Sequence, residues 1–171
     1  IQTGDYYSTT STSLGTSAYE VSDLGTTFTP TSASSHILIT GMIHAYHDSS
    51  YCGRGYITYN HSGVSETIIR SGRAGGGGGS GYNCTFKFEN GSDSSSNVST
   101  PSSINLHFTP NTTNKLTFKT RIMTSNSSNA SVINNTRTDH TNSDDGGNTV
   151  SSLTFWEVAG AISTVSNTSI E

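Results

Sequence analysis

Charge is scarce in this chain: only 12% of its 171 residues are Asp, Glu, Lys or Arg, about half the share usual in soluble domains. Eight basic residues scattered through a chain of net charge −4 leave no electrostatic footprint for nucleic acid. Long apolar runs are missing too. None approaches the roughly 20 residues of a membrane-spanning helix, so no membrane insertion is expected. No signal peptide opens the chain, which starts at Ile1 and is expected to be a fragment or processed product. Helical periodicity is also absent: nowhere do apolar residues recur at i, i+3, i+4 and i+7 over the length of a helix.

Catalytic signatures are lacking as well. There is no Gly-x-Ser-x-Gly elbow and no His-Glu-x-x-His helix. The run Gly75–Gly79 lacks the Lys-Ser/Thr ending of a phosphate loop. Glycoside hydrolysis needs two carboxylates about 5–9 Å apart. Glu20, Glu66, Glu89 and Glu157 fall on separate predicted strands or their ends, with no apolar setting that would raise one pKa. We expect no enzyme and no cofactor.

What the chain has is small polar residues. Ser, Thr and Asn number 31, 27 and 14, more than two-fifths of the total. Such a composition fits disorder, but 15 aromatic residues, mostly within short β-branched runs, argue for a folded domain with long polar loops. The length suits one domain. Nine Asn-x-Ser/Thr sequons begin at Asn60, Asn83, Asn90, Asn97, Asn111, Asn126, Asn129, Asn134 and Asn167. Chance alone gives about five in so Ser/Thr-rich a chain, and we read them as composition. Cys52 and Cys84 are read as two small buried thiols, because Cys84 sits on an apolar strand face. A disulfide closing a loop around the glycine run is the alternative.

Period-2 alternation is the dominant pattern. Tyr82, Cys84, Phe86 and Phe88 form one apolar face, Ile104, Leu106 and Phe108 another, and Leu116, Phe118, Thr120 and Ile122 a third. Residues 17–29, 36–47, 54–60, 64–70, 130–136 and 150–158 are further candidates, for about nine strands. His61-Ser62-Gly63 predicts a hairpin turn, and Asp144–Asn148 another reversal. Gly72–Gly81 and Asn90–Ser103 read as polar connections. The fold class is all-β, an antiparallel β-sandwich of jelly-roll type. Its expected organisation is a linker or stalk end over 1–14, a head domain over 15–160 and a C-terminal extension over 161–171.

Segment 36–47 is apolar on both faces: Ile37, Ile39, Ile43 and Ala45 against Leu38, Met42 and Tyr46. Leu153 and Phe155 against Trp156 and Val158 repeat the situation. A two-layer sandwich covers only one face of each sheet, so a homo-oligomer is expected to cover the other, through Leu38, Met42, Tyr46 and Trp156. The alternative is a long loop folded over it.

Four segments carry a family likeness. Thr29-Pro30-Thr31-Ser32-Ala33-Ser34-Ser35-His36-Ile37-Leu38-Ile39 resembles the "TPTSASSKILI"-like turn and strand in the C-terminal domain of bacteriophage tail fibres and related virion appendages. Ser151-Ser152-Leu153-Thr154-Phe155-Trp156-Glu157-Val158-Ala159-Gly160 is similar to the terminal "SSLTLMEIAG" strand of that family, and Thr109–Lys119 to its "SPNTTSALTYKV" turn and strand. Arg137–Asn148 resembles its polar hairpin before the last strand. The resemblance spans about residues 18–160. It implies a β-sandwich head, usually homotrimeric, on an extracellular virion fibre that contacts host-surface glycans or proteins and joins an upstream fibre component. Two departures stand out: the chain runs on past the Ala-Gly pair to Glu171, and His36 stands where a positive residue is common.

Receptor contacts are expected on loops carried by the rigid scaffold. Tyr51, with His47, Asp48 and Arg54 near it, offers an aromatic face among planar polar groups, as a carbohydrate site requires. Tyrosines that merely cap a sandwich end are the plainer reading. Arg73 stands at the entrance of the glycine loop, where it can supply a charged hydrogen bond. No metal is expected. His44 and His47 are three apart on a strand and point to opposite faces. Asp139, Asn142, Asp144 and Asp145 lack the EF-hand spacing and its closing Glu. Two alternatives to a receptor-binding head remain: a structural trimerisation, decoration or connector domain of a viral appendage, and a secreted glycoprotein or adhesin.

Overall fold

A computed structural model describes residues 2–8, 12–13, 19–47, 52–69, 72–73, 83–89, 100–124, 131–134 and 149–158. Every regular element among them is a strand: β1 (Gln2–Ser8), β2 (Thr12–Ser13), β3 (Tyr19–Phe28), β4 (His36–His47), β5 (Cys52–His61), β6 (Val64–Ile68), β7 (Gly72–Arg73), β8 (Asn83–Cys84), β9 (Phe86–Glu89), β10 (Thr100–Phe108), β11 (Leu116–Thr124), β12 (Ser131–Ile133) and β13 (Ser151–Val158). All pairings are antiparallel. Ile104–Phe108 and Leu116–Ile122 each fall on one of these strands, and the alternation of Cys84, Phe86 and Phe88 is divided between β8 and β9.

Two main sheets share one plan. In the first, β4 is the spine. One edge pairs with β10, and the other pairs with β13 over residues 36–42 and then with β12 over 45–47. β1 and β2 lie beyond, on β13 and β12. In the second sheet, β5 is the spine. One edge pairs with β11, which in turn carries β3. The other edge is shared by β9, over residues 52–55, and β6, over 58–61.

The sheets lie face to face because their inward residues are the apolar phase of each alternation. Ile37, Ile39, Ile57, Leu116, Ile122 and Leu153 are all fully buried between them. Phe118 is the hub of this core. It stacks on Phe28 at 5.3 Å and meets Phe155, across the core, at 5.1 Å between ring centroids. Burying such aromatics is the largest apolar contribution to stability per residue. Gly53 and Gly55 face inward beneath Phe88 and Phe86, and a Cβ at either position would enter the ring above it. Two contacts link the sheets at their sides. Thr26 donates to the Tyr6 hydroxyl beside β1, and Ser102 donates to the Lys87 carbonyl between β10 and β9.

The hairpin expected at His61-Ser62-Gly63 joins β5 to β6, and Gly63 supplies the φ of 85° that the turn needs. Gln2–Ser8, within the segment read as a linker or stalk end, pairs with β13 from Ser151 to Glu157, and Tyr6 meets Phe155 edge-on at 5.7 Å. A polar segment reads as a linker when apolar alternation is the guide. Here the backbone groups of β13 supply what holds it. The connection expected to run to Ser103 ends sooner, because β10 begins at Thr100. Pro101 is tolerated there since, among the described strands, β10 pairs with β4 alone and lies at the edge. Gly72 and Arg73 pair with Cys84 and Asn83, so the glycine connection opens with a short ladder.

Candidate functional site

On the outer face of the second sheet, the polar phase of three strands converges on a groove of about 310 Å³ lined by Tyr56, Thr58, Glu66, Ile68, Arg121 and Met123. Tyr56 and Thr58 point outward because Gly55, Ile57 and Tyr59 take the inward positions of β5. Arg121 and Met123 alternate with the buried Thr120 and Ile122 on β11, and Arg121 lies directly opposite Tyr56. Glu66 arrives through a bulge. Between the pairs Tyr59–Thr67 and His61–Val64, the single residue Asn60 faces two residues of β6, Ser65 and Glu66. Without that extra residue Glu66 would sit opposite the inward-facing Tyr59. The bulge turns its carboxylate outward.

Every polar group of the groove is oriented by another. Arg121 grips Glu66 with two parallel hydrogen bonds, Nε to Oε1 at 2.5 Å and Nη2 to Oε2 at 2.9 Å. The Thr58 hydroxyl donates to Glu66 Oε1 at 2.8 Å. The Tyr56 hydroxyl donates to Met123 Sδ at 3.2 Å, which sets the ring against the groove wall. The Arg121 hydrogen bonds hold the Glu66 carboxyl below the ordinary carboxylate range. Burial opposes them, while the Thr58 hydroxyl and the charges of Arg121 and Lys119 add to the lowering. A bidentate guanidinium–carboxylate pair of this kind is geometrically specific and rigid.

Glu157 is a second carboxylate with a defined environment. It is 2% exposed at the end of β13. Its Oε1 accepts from the Thr31 amide at 2.6 Å and from the Thr31 hydroxyl at 2.9 Å. Burial pushes its pKa up, but the Ser35 hydroxyl and the two Thr31 donors outweigh that and leave it below the ordinary value. A general acid for glycoside cleavage needs the opposite shift. Glu66 and Glu157 are therefore both set up to stay ionised.

The residues expected to contact a receptor are placed unevenly. Asp48 and Tyr51 lie outside the described residues. His47 ends β4 opposite Ser131 and Arg73 pairs with Asn83, with only the backbone of each described. Arg54 is only 4% exposed, buried on β5 rather than standing on the surface. Its neighbours across the ladder, Lys87 and Met123, lie on both sides of it. The acidic segment 139–145 and the run Gly75–Gly79 fall outside the described residues. Cys84 is buried, on the apolar face shared with Phe86 and Phe88.

The expected interface residues fall together on the outer face of the first sheet. Leu38 is half-buried and lies directly opposite Trp156, which is 39% exposed. Met42, four residues further along β4, is also 39% exposed. Tyr46 continues the row, with only its backbone described, opposite Val132. The inner row of the same strand, Ile37, Ile39, Ile43 and Ala45, is buried. No family model matches the chain, and none of the curated proteins does.

The groove on the second sheet is what sequence reasoning missed. In the sequence Glu66 stands as a lone carboxylate, and nothing in the pattern joins Tyr56, Thr58, Arg121 or Met123 to it. A signal existed in part: a turn at Ser62-Gly63 folds Glu66 back toward Thr58. The bulge that decides which way Glu66 points has no counterpart in the alternation.

Proposed function

We propose that the chain forms the head of a virion fibre, a jelly-roll-like β-sandwich that assembles as a homotrimer and binds a host-surface glycan or protein. What supports this reading above all is that the two segments most like phage fibre heads are neighbours in space. Trp156 of the closing segment lies opposite Leu38 of the opening one, and Glu157 takes two hydrogen bonds from Thr31 in the turn before it. Their shared outer face carries an apolar row of half-buried Leu38 and exposed Met42 and Trp156, which suits a partner copy. Three copies on one fibre multiply weak contacts, because after the first engagement the others act at high effective concentration. His47, Asp48, Tyr51 and Arg73 are the loop contacts we assign to the receptor, with Arg54 supporting them from beneath the surface.

The same apolar row would serve a connector domain that only trimerises a fibre. Light scattering at micromolar concentration, followed by binding of the purified protein to bacterial cells, separates the two. A trimer that coats cells fits the receptor-binding head, and a trimer that binds none fits the connector. A stable single chain at that concentration removes the avidity mechanism altogether.

A further inference from the structure

The groove on β5, β6 and β11 combines apolar side chains with a fixed ion pair. Tyr56, Ile68 and Met123 supply apolar lining, and Glu66 and Arg121 are locked together beside them. We propose that this groove binds a neutral saccharide unit of a host-surface glycan, with the C–H face of the sugar on the Tyr56 ring and two adjacent hydroxyls bridging Glu66 and Arg121. The assignment rests on the receptor-binding reading above and narrows its ligand to a glycan. It also moves a contact from the loops to a rigid sheet face.

Size, order and charge all point to this ligand. A volume of about 310 Å³ lies at the lower end of small-molecule sites, which hold an apolar surface and a few fixed polar groups. The polar groups are already fixed. Thr58 holds Glu66, Glu66 holds Arg121, and the Tyr56 hydroxyl is tied to Met123. Binding then costs little side-chain ordering. A carboxylate accepts and a guanidinium donates. Side by side, they match the donor and acceptor that neighbouring sugar hydroxyls present together. The pair is internally neutral, so an anionic sugar would have to displace Glu66 from Arg121 and would meet the carboxylate's repulsion as it did so. A purely apolar partner would bury the ion pair with nothing in return for its lost hydration.

The test titrates the purified chain with the methyl glycosides of glucose, galactose and N-acetylglucosamine, and in parallel with glucuronate and N-acetylneuraminate, followed by ¹⁵N and ¹³C chemical shifts. At least one neutral glycoside is expected to shift the Arg121 Nε–H and the Tyr56 ring signals. Tyr56→Ala should weaken that binding about tenfold, the scale of a lost aromatic contact. Tyr56→Phe, which keeps the ring but loses the hydroxyl's tie to Met123, should bind between the parent and Tyr56→Ala. Glu66→Gln, which removes the charge and one acceptor, should weaken it as well, and serves alone if Tyr56→Ala fails to fold as judged by thermal melting. A response to the anionic sugars only, or none at Arg121 and Tyr56 to any of the five, overturns the proposal. An array of intact bacterial surface polysaccharides distinguishes the two levels. Polysaccharide binding that survives Tyr56→Ala and Glu66→Gln sinks the groove and leaves the receptor reading standing. Glycoside shifts at the groove, in a protein that binds no polysaccharide and no cell, sink the receptor reading and leave the groove.

Discussion

The Thr85 hydroxyl accepts a hydrogen bond from the Ile57 amide at 3.0 Å and donates one to the Ile69 carbonyl at 3.1 Å, closing the gap where β9 ends and β6 begins along β5. Ser151 does the same in the other sheet. Its hydroxyl accepts from the His44 amide at 2.9 Å and donates to Asn134 Oδ1 at 2.5 Å, between the ends of β13 and β12 on β4. Asn134, in the left-handed region at φ 58°, completes the repair by donating its own amide to the His44 carbonyl. Each spine strand thus has two short neighbours on one edge, and a hydroxyl satisfies the backbone amide that neither neighbour reaches.

Removing either hydroxyl strands a backbone amide. Thr85→Val and Ser151→Ala are each expected to destabilise the fold by about 1–3 kcal/mol, the usual cost of an unsatisfied buried polar group. Urea denaturation measures it. A loss well below 1 kcal/mol for both would mean that water reaches these gaps.

Gly53 and Gly55 lie under the Phe88 and Phe86 rings with no room for a methyl group. Gly53→Ala and Gly55→Ala should each cost about 1–3 kcal/mol through overpacking. The matched double change Gly55→Ala with Phe86→Leu should recover part of that loss in the same denaturation experiment.

The lowered pKa of Glu157 makes stability depend on pH. A carboxyl whose folded pKa lies below its unfolded value contributes fully above the unfolded value, near 4.5, and loses that contribution as pH falls through the folded value. Glu157→Gln should therefore be less stable than the parent at neutral pH, by about 1–3 kcal/mol for charge-assisted hydrogen bonds. The gap should close as the solution is acidified below pH 4.5. Melting temperatures of both proteins across that range test this, and a constant gap would count against it.

Trimer formation through the outer face of β4 and β13 predicts that Trp156→Lys or Met42→Lys lowers the mass in solution from three chains to one. Both side chains are well exposed in the single chain, so its fold should survive, with a thermal midpoint little changed at high dilution. Light scattering and melting curves on the same samples give the answer.

If the loops meet the receptor, Tyr51→Ala or Arg73→Ala weakens attachment to cells without unfolding. Unchanged adsorption by both variants would assign recognition elsewhere, with the Tyr56 groove first in line.

Much of the fold was legible in the residues themselves. Strand-like runs located β3, β4, β5, β10, β11 and β13, and the parity along them separates buried Ile37, Ile39, Phe118 and Leu153 from Leu38, Met42 and Trp156 on the outer face. Turn residues at His61-Ser62-Gly63 located the hairpin. These are local consequences of a two-residue repeat, in which neighbours point to opposite faces. Partner and register are different matters. Arg121 lies opposite Tyr56 across 65 positions of chain, and Gln2–Ser8 is ordered by β13 at the far end. Glu66 faces outward, into the groove, only because the bulge adds one residue to β6. Arg54 looks like surface in sequence and is buried in fact. Such outcomes depend on which backbone edges meet and how they are offset, and a period of two reads the same in every offset of an even number of residues.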